Sequence, residues 1–234
     1  MKQFLQNQKN LVQNVFNDVY DKYDLMNDFM SLGIHRLWKK DLIMMMSPYT
    51  NKKLIDVGCG TGDIGKLFLN TVKFKGSVYN VDPNKKMLDQ GKKRFKNLDN
   101  ISWHIGNAEN LKFKSNLFDY YTISFGLRNT KDISKSLKEA YRVLKPGGRF
   151  LCLEFSKISN SNLNFLYKNY SKIIPKVGKF IVGKSEPYEY LIKSIDKFIN
   201  QNQLVELMNK NGFENCKYRD LSGGIVSIHS GWKV

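Results

Sequence analysis

Apolar and polar positions follow two rhythms between residues 50 and 155. Short apolar runs bounded by turn residues predict strands at 53–57 (ending at Gly58), 77–82, 101–105, 120–125 (preceded by Ser115-Asn116) and 149–155 (opened by Pro146-Gly147-Gly148). Between them the period lengthens to that of a helix. In the clearest case Ile133, Leu137, Ala140, Tyr141 and Leu144 share one face, with Asp132 as N-cap and Pro146-Gly147-Gly148 as the stop. Strands alternating with helices predict βαβ units and a parallel sheet that binds ligands at the carboxyl ends of its strands. The tail differs. A helix over 203–211 stops at Gly212, and runs at 216–219 and 225–229, joined through Ser222-Gly223-Gly224, read as an antiparallel hairpin. Residues 1–50, helical and aromatic, and 156–200 stand outside the rhythm without linker composition. One domain over 1–234 is expected: an N-terminal helical cap (1–50), a core (51–155), a helical insertion (156–200) and a terminal helix with hairpin (201–234).

The 234 residues are 41% hydrophobic and 13% aromatic, enough for a core, which excludes wholesale disorder. No run approaches the ~18–20 apolar residues of a membrane-spanning helix. Lys2 and Lys9 are followed by no apolar run or small-residue cleavage site, so no secretory signal is expected. Cys59, Cys152 and Cys216 are odd in number, far apart and without metal-ligand spacing. Neither a disulfide framework nor a metal site is indicated, and a reduced, cytoplasm-like compartment is expected. The net charge of +17 admits a polyanionic partner, either nucleic acid or an anionic membrane surface, or merely a Lys-rich background, since 32 of the 38 basic residues are Lys.

Asp56-Val57-Gly58-Cys59-Gly60-Thr61-Gly62-Asp63 follows a predicted strand and opens a helix, so its backbone can approach a ligand closely. Gly60 to Gly65 also satisfies the dinucleotide spacing G-x-G-x-x-G, a weak signal alone. Charge separates the candidates. A pyrophosphate disfavours nearby carboxylates, whereas Asp56 and Asp63 flank this loop and suit the ammonium and sulfonium of S-adenosylmethionine. Asp82 ends the next strand, placed to accept both ribose hydroxyls or to cap a helix before Pro83. Asn107-Ala108 follows the third strand, at an adenine edge or in a plain turn. Ser124 ends the fourth strand, toward the site or merely in the pleat. Cys59 reads as a small residue in a tight loop. Methyl transfer is the favoured chemistry.

These residues resemble the ubiquinone/menaquinone biosynthesis C-methyltransferases. The Gly loop, Asp82 and Leu144-Lys145-Pro146-Gly147-Gly148 are shared by many methyltransferases. More specific are residues 22–39 (KYDLMNDFMSLGIHRLWK), 122–129 (TISFGLRN), 153–157 (LEFSK), and the end from Tyr188-Glu189-Tyr190-Leu191 through Gly223-Gly224-Ile225-Val226 to Gly231-Trp232-Lys233. The likeness covers residues 12–234. It implies an α/β, Rossmann-like class I methyltransferase fold: a mostly parallel seven-stranded sheet with a C-terminal antiparallel hairpin and helical caps. It implies cofactor contacts at Thr61, Asp82, Asn107, Ala108 and Ser124, besides Asp56 and Gly58 of the loop, and no metal. Gly58-Cys59-Gly60 stands where many relatives have Ala-Gly-Gly, which keeps the loop glycine beside the methionine moiety.

The implied reaction is S-adenosylmethionine-dependent C-methylation of a polyprenylated benzoquinol or naphthoquinol. Such a ring carbon is nucleophilic when a ring hydroxyl ionises, and it must meet the methyl in line at about 3–3.5 Å. Arg128 is expected to stabilise phenolate charge, or to form a surface ion pair with Asp132; Asn129 would orient the ring. Arginine does not accept the proton, which leaves a water or another side chain. His35 would cover the site or fix packing beside Trp38; Tyr23 and Asp24 rank lower, and Glu154 lines the pocket or pairs with a lysine. The acid-free, lysine-rich and apolar stretches 1–17 and 156–185 suit interfacial contact with an anionic membrane, or a solvated helix face over a core stripe. The expected location is cytoplasmic, peripheral on the inner face of the membrane. A quinone-biosynthesis complex and a homodimer complete the expected partners, with no nucleic acid. The rivals are a methyltransferase on RNA or another small molecule and a catalytically silent scaffold. The first lacks an RNA module and an Asn-Pro-Pro-Tyr-type motif; the second is opposed by the intact loop and Asp82.

Overall fold

The computed structural model describes residues 28, 31, 33–167, 169–170 and 186–234. The chain divides into two compact units, Met1–Arg36 with Ile158–Phe198 and Leu37–Lys157 with Ile199–Val234. Residues 1–17 and 171–185, which carry most of the acid-free stretches, lie outside the described residues, as do Tyr23 and Asp24.

The larger unit is one seven-stranded sheet in the order β3-β2-β1-β4-β5-β7-β6. Its strands are β1 (Lys52–Val57), β2 (Gly76–Asp82), β3 (Ile101–Ile105), β4 (Phe118–Ser124), β5 (Leu144–Phe155), β6 (Glu214–Leu221) and β7 (Val226–Trp232). The first five pair in parallel and β7 runs antiparallel between β5 and β6, so the terminal hairpin forms as expected. Among the described residues, helices with defined bounds are α1 (His35–Met46), α2 (Asp63–Thr71), α3 (Lys85–Arg94), α4 (Ile133–Val143), α5 (Glu186–Lys197) and α6 (Gln201–Lys210). Leu54 and Ile55 of β1 are wholly buried, as expected of a central parallel strand covered on both faces. Each contributes on the order of 1.5–3 kcal/mol by leaving water. Trp38, Leu42 and Met46 of α1 join Leu54, Phe68, Leu151 and Ile228 in one core cluster.

Helix ends follow local chemistry. Asp132 caps α4 through the Lys135 N–H at 2.9 Å, as its sequence position indicates. α6 opens with a reciprocal capping box of Asn200 and Gln203. Asn84, and not Asp82, caps α3, accepting from Lys86 N–H and Met87 N–H. Two boundaries differ from the pattern. β5 begins at Leu144, with Pro146-Gly147-Gly148 inside it and a register irregularity opposite Phe118 and Tyr120. β4 ends at Ser124, because Phe125 turns left-handed at φ 56°. For a bulky L-residue that conformation costs about 1–3 kcal/mol, and only surrounding contacts can hold it.

In the smaller unit, α5 buries Tyr188 and Ile195. There Asp28 accepts from Arg36 Nη2 at 2.6 Å and bonds His35 Nε2 at 2.8 Å. These two bonds, with the guanidinium charge, hold its carboxyl below the usual range against the opposing effect of desolvation.

Candidate active site

The glycine loop joins β1 to α2 at the carboxyl edge of the sheet. Gly58 N–H and Cys59 N–H both donate to Val81 O, at 2.8 and 3.2 Å, which ties the loop to the end of β2. Gly62 holds φ 89°, and a Cβ there would meet the Trp103 ring at 2.6 Å, so only glycine fits the entry to α2. Asp82 braces the loop from β2. One carboxylate oxygen accepts from Gly60 N–H at 2.9 Å, the other from Asn84 N–H at 2.8 Å.

Two buried carboxyls face this loop. Asp56 is 1% exposed; one oxygen accepts from Thr122 Oγ1 at 2.8 Å and the other, Oδ2, is buried without a hydrogen-bond partner. Burial pushes its pKa up to about 7, against the Thr122 bond and the Lys39 charge, with Asp82 and Asp63 pushing the same way as burial. Asp82 rises to about 6 by burial, restrained by its two backbone donors. Asp63 is committed elsewhere, with Lys39 Nζ on one oxygen and Arg94 Nη1 on the other, both at 2.9 Å. The charge argument for a cationic ligand therefore passes from Asp63 to Asp56 and Asp82. Burial also raises the Cys59 thiol, leaving it a protonated small residue of the loop.

The fit to S-adenosylmethionine rests on this donor and acceptor set. Asp56 Oδ2 is an acceptor waiting for a donor, and Asp82 keeps lone pairs for ribose hydroxyls after its two backbone bonds. Ser124 Oγ is buried without a partner at the end of β4. A Cβ on Gly58 would lie 3.7 Å from Gly126 Cα, so the loop comes close to the turn after β4. Thr61 is buried, its hydroxyl accepting from Arg94 Nη1 at 3.4 Å. Beyond β3, Asn107 Oδ1 accepts from Glu109 N–H at 3.1 Å and Ala108 is buried, so Asn107 and Ala108 occupy a side-chain-braced turn at the expected edge. These residues suit a nucleoside with a cationic head.

The residues expected to serve the acceptor lie just after β4 and at the end of β5. Arg128 and Asn129 sit in a single 3₁₀ turn, Leu127–Asn129. Arg128 does not pair with Asp132. Its guanidinium meets Glu154 at 2.8 Å with both side chains buried, 5% and 1% exposed, and also donates to Phe125 O. Glu154 further accepts from Arg128 N–H at 3.3 Å and from its neighbour Phe155 N–H at 2.9 Å. Glu154 thus pairs with an arginine where a lysine was expected, because β4 and β5 are paired in parallel and bring the turn after β4 beside the end of β5. His35 lies in the smaller unit, buried and bonded to Asp28.

Sequence reading missed two features. In register across β2, β1 and β4, Asn80, Asp56 and Thr122 form a buried polar row. Trp38, Phe125 and Phe155 cluster beside Arg128. The family likeness covers Trp38 (22–39), Phe125 with Arg128 (122–129) and Phe155 (153–157) in three separate stretches without bringing them together, and no spacing signals the first. Among the described residues no group of His, Cys, Asp and Glu could hold a metal ion.

Known structures share this architecture. A SAM-dependent methyltransferase from Thermotoga maritima superposes with a TM-score of 0.66 at 22% identity, over 95% of this chain and 99% of that one. Phosphoethanolamine N-methyltransferase 2 of Haemonchus contortus, in complex with S-adenosyl-L-methionine, gives 0.62 at 16% identity, over 84% of this chain and 52% of that one. At these identities the likeness is one of fold. Sequence relatives are far nearer. The ubiquinone/menaquinone biosynthesis C-methyltransferase UbiE of Rickettsia bellii (strain OSU 85-389) is 49% identical, over 97% of this chain and 94% of that protein. The protein of the same name from Rickettsia prowazekii (strain Madrid E) is 48% identical, over 96% and 93%. The model of the ubiE/COQ5 methyltransferase family matches residues 2–233. By that near-complete match the chain belongs to the ubiE/COQ5 methyltransferase family.

Proposed function

We propose that this protein is an S-adenosylmethionine-dependent C-methyltransferase acting on the ring of a polyprenylated quinol in ubiquinone or menaquinone biosynthesis. The observation that carries the reading is the near-half identity, along almost the whole chain, to proteins named for that reaction. The buried acids around the glycine loop supply its physical ground. When bound, S-adenosylmethionine supplies an electrophilic methyl on a cationic sulfur.

Each residue then has a task. Asp82 accepts from the ribose hydroxyls and holds Gly60. Asn107 and Ala108 border the adenine. Asp56, Gly58, Thr61 and Ser124 receive the methionine end, where the buried Oδ2 of Asp56 accepts from the ammonium. Arg128, pinned by Glu154, donates to a ring oxygen and draws the hydroxyl toward phenolate, and Asn129 sets the ring's orientation. A water or a second side chain takes the proton, since a guanidinium has no acceptor.

Mass spectrometry of quinones in a strain lacking the native methyltransferase tests this reading. Expression of this chain should convert the accumulated demethylated ubiquinone precursor, demethylmenaquinone, or both. Persistence of both precursors would sink it. The greasy tail of such a substrate suggests peripheral contact with an anionic membrane, consistent with the absence, among the described residues, of any helix long and apolar enough to cross one. Liposomes containing anionic lipid should carry the protein upward in a flotation gradient at physiological salt; protein left at the bottom removes the membrane from the proposal.

A further inference from the structure

Three aromatic rings converge where β4 and β5 end. The centroids of Phe125 and Phe155 are 5.1 Å apart with planes at 47°, and Trp38 lies 6.3 and 6.5 Å from them. Trp38 is 4% exposed and fixed by its indole N–H, which donates to Ser222 Oγ at 2.9 Å. The Arg128 guanidinium stands 5.4 Å from the Phe155 ring centre and is paired with Glu154. An aromatic wall therefore adjoins a fork of N–H donors.

Phe125 and Phe155 pack against the edge of the core cluster without being enclosed by it. The rings that fill this unit's interior, Phe68, Phe118 and Phe150, are buried, whereas these two stay half-buried. Phe125 also holds its left-handed turn against its own sterics. The turn is secured on both sides: Phe125 N–H donates to Leu153 O at 2.8 Å, and Phe125 O accepts from the Arg128 guanidinium. Leaving the alternation of β4, its ring meets Phe155. Strained backbone that is fixed by its surroundings and sits at the carboxyl edge of a parallel sheet is a mark of a binding position. The next residue, Gly126, is the one that Gly58 of the glycine loop approaches, and Phe125 is preceded by Ser124, with its buried, unpartnered hydroxyl.

We propose that Phe125 and Phe155 are the seat of the acceptor's aromatic ring, selecting a flat, electron-rich ring by offset stacking beside the Arg128 donors. This rests on the quinol reading above and names the residues that would make it specific. Trp38 backs the seat, and Glu154 is a positioning residue that holds Arg128 at its rim.

The test compares the wild type with Phe125→Leu and Phe155→Leu, using a short-tailed demethylnaphthoquinol as acceptor. Each variant should raise the acceptor KM about tenfold, leave kcat within threefold, and leave S-adenosylhomocysteine affinity by calorimetry unchanged. Phe→Tyr at the same sites should keep the wild-type KM, because the ring is retained. Binding of the corresponding quinone should quench Trp38 fluorescence, with the quench lost in Trp38→Phe and weakened tenfold in the leucine variants. An acceptor KM within twofold of wild type in folded leucine variants overturns the seat. If leucine unfolds the chain, methionine, unbranched and able to fill irregular gaps, decides by the same thresholds. A wild type that methylates no quinol overturns the functional reading instead. The seat is then judged by quenching alone, which the leucine variants must weaken.

Discussion

After β1 and β2 the carboxyl edge of the sheet is closed by backbone; after β4 and β5 it is closed by side chains. In the first region Asp82 accepts two main-chain N–H groups, and the glycine loop hangs from Val81 O. These bonds join the glycine loop to the end of β2 and the start of the next helix, which follow one another in the chain, while Asp56 reaches across to Thr122 of β4. In the second region a buried ion pair joins the turn after β4 to the end of β5, and Trp38 of α1 meets Phe125 and Phe155, which lie far from it in sequence. The first region carries unpaired buried acids with raised pKa; the second carries a neutralised pair. A cationic ligand suits the first, and a neutral aromatic ring with polar substituents suits the second. One sheet edge thus offers two electrostatic environments.

Separating the two regions by mutation gives the largest effects. Arg128→Ala should abolish turnover while S-adenosylmethionine affinity by calorimetry stays within about threefold. It also strands Glu154 as a buried, unpaired charge, at a cost of about 3–5 kcal/mol in urea-determined stability. Adding Glu154→Gln should return much of that stability and none of the turnover. Recovered turnover in the double variant would remove Arg128 from the chemistry. Next in size, Asp82→Ala should weaken cofactor binding about 100-fold, since hydrogen bonds to a charged acceptor contribute about 1.5–3 kcal/mol each. Affinity unchanged within threefold would mean that Asp82 serves only to brace the loop.

A smaller effect reads the buried acids directly. With folded-state pKa values of about 7 for Asp56 and about 6 for Asp82, against an ordinary 3.8 when unfolded, the folded state holds protons that the unfolded chain has released. Their stabilisation is complete below pH 4 and drains away as pH rises through 6 and 7. Asp56→Asn without cofactor should therefore have a Tm less dependent on pH across 4–7 than the wild type, and a higher Tm at pH 8. Parallel Tm curves for the two proteins would refute the raised pKa. Smallest, Asp132→Ala removes the α4 cap for about 1 kcal/mol, with cofactor and acceptor binding unmoved.

Legibility divides along the same line. The glycine loop and the Asp132 cap could be read from the chain because each lies within one turn, and Asp56 and Asp82 could be placed at strand ends, while their partners Thr122 and Gly60 come from other elements. The terminal hairpin was equally plain. Asp63 looked like a ligand acid until Lys39 and Arg94 took it, one from α1 and the other from the end of α3. Phe125 looked like one more strand residue, since nothing in its neighbours announces a left-handed turn.

What the sequence determined by itself is the alternating architecture, the family and the cationic character of the ligand, all written in short-range periodicity, motif and the sign of local charge. Only the tertiary structure decided which of the loop's acids remain unpaired, that Arg128 answers Glu154, and that Trp38, Phe125 and Phe155 share one corner. Those depend on strand order and register, which bring distant residues within a few ångströms and expel the water that would otherwise screen them.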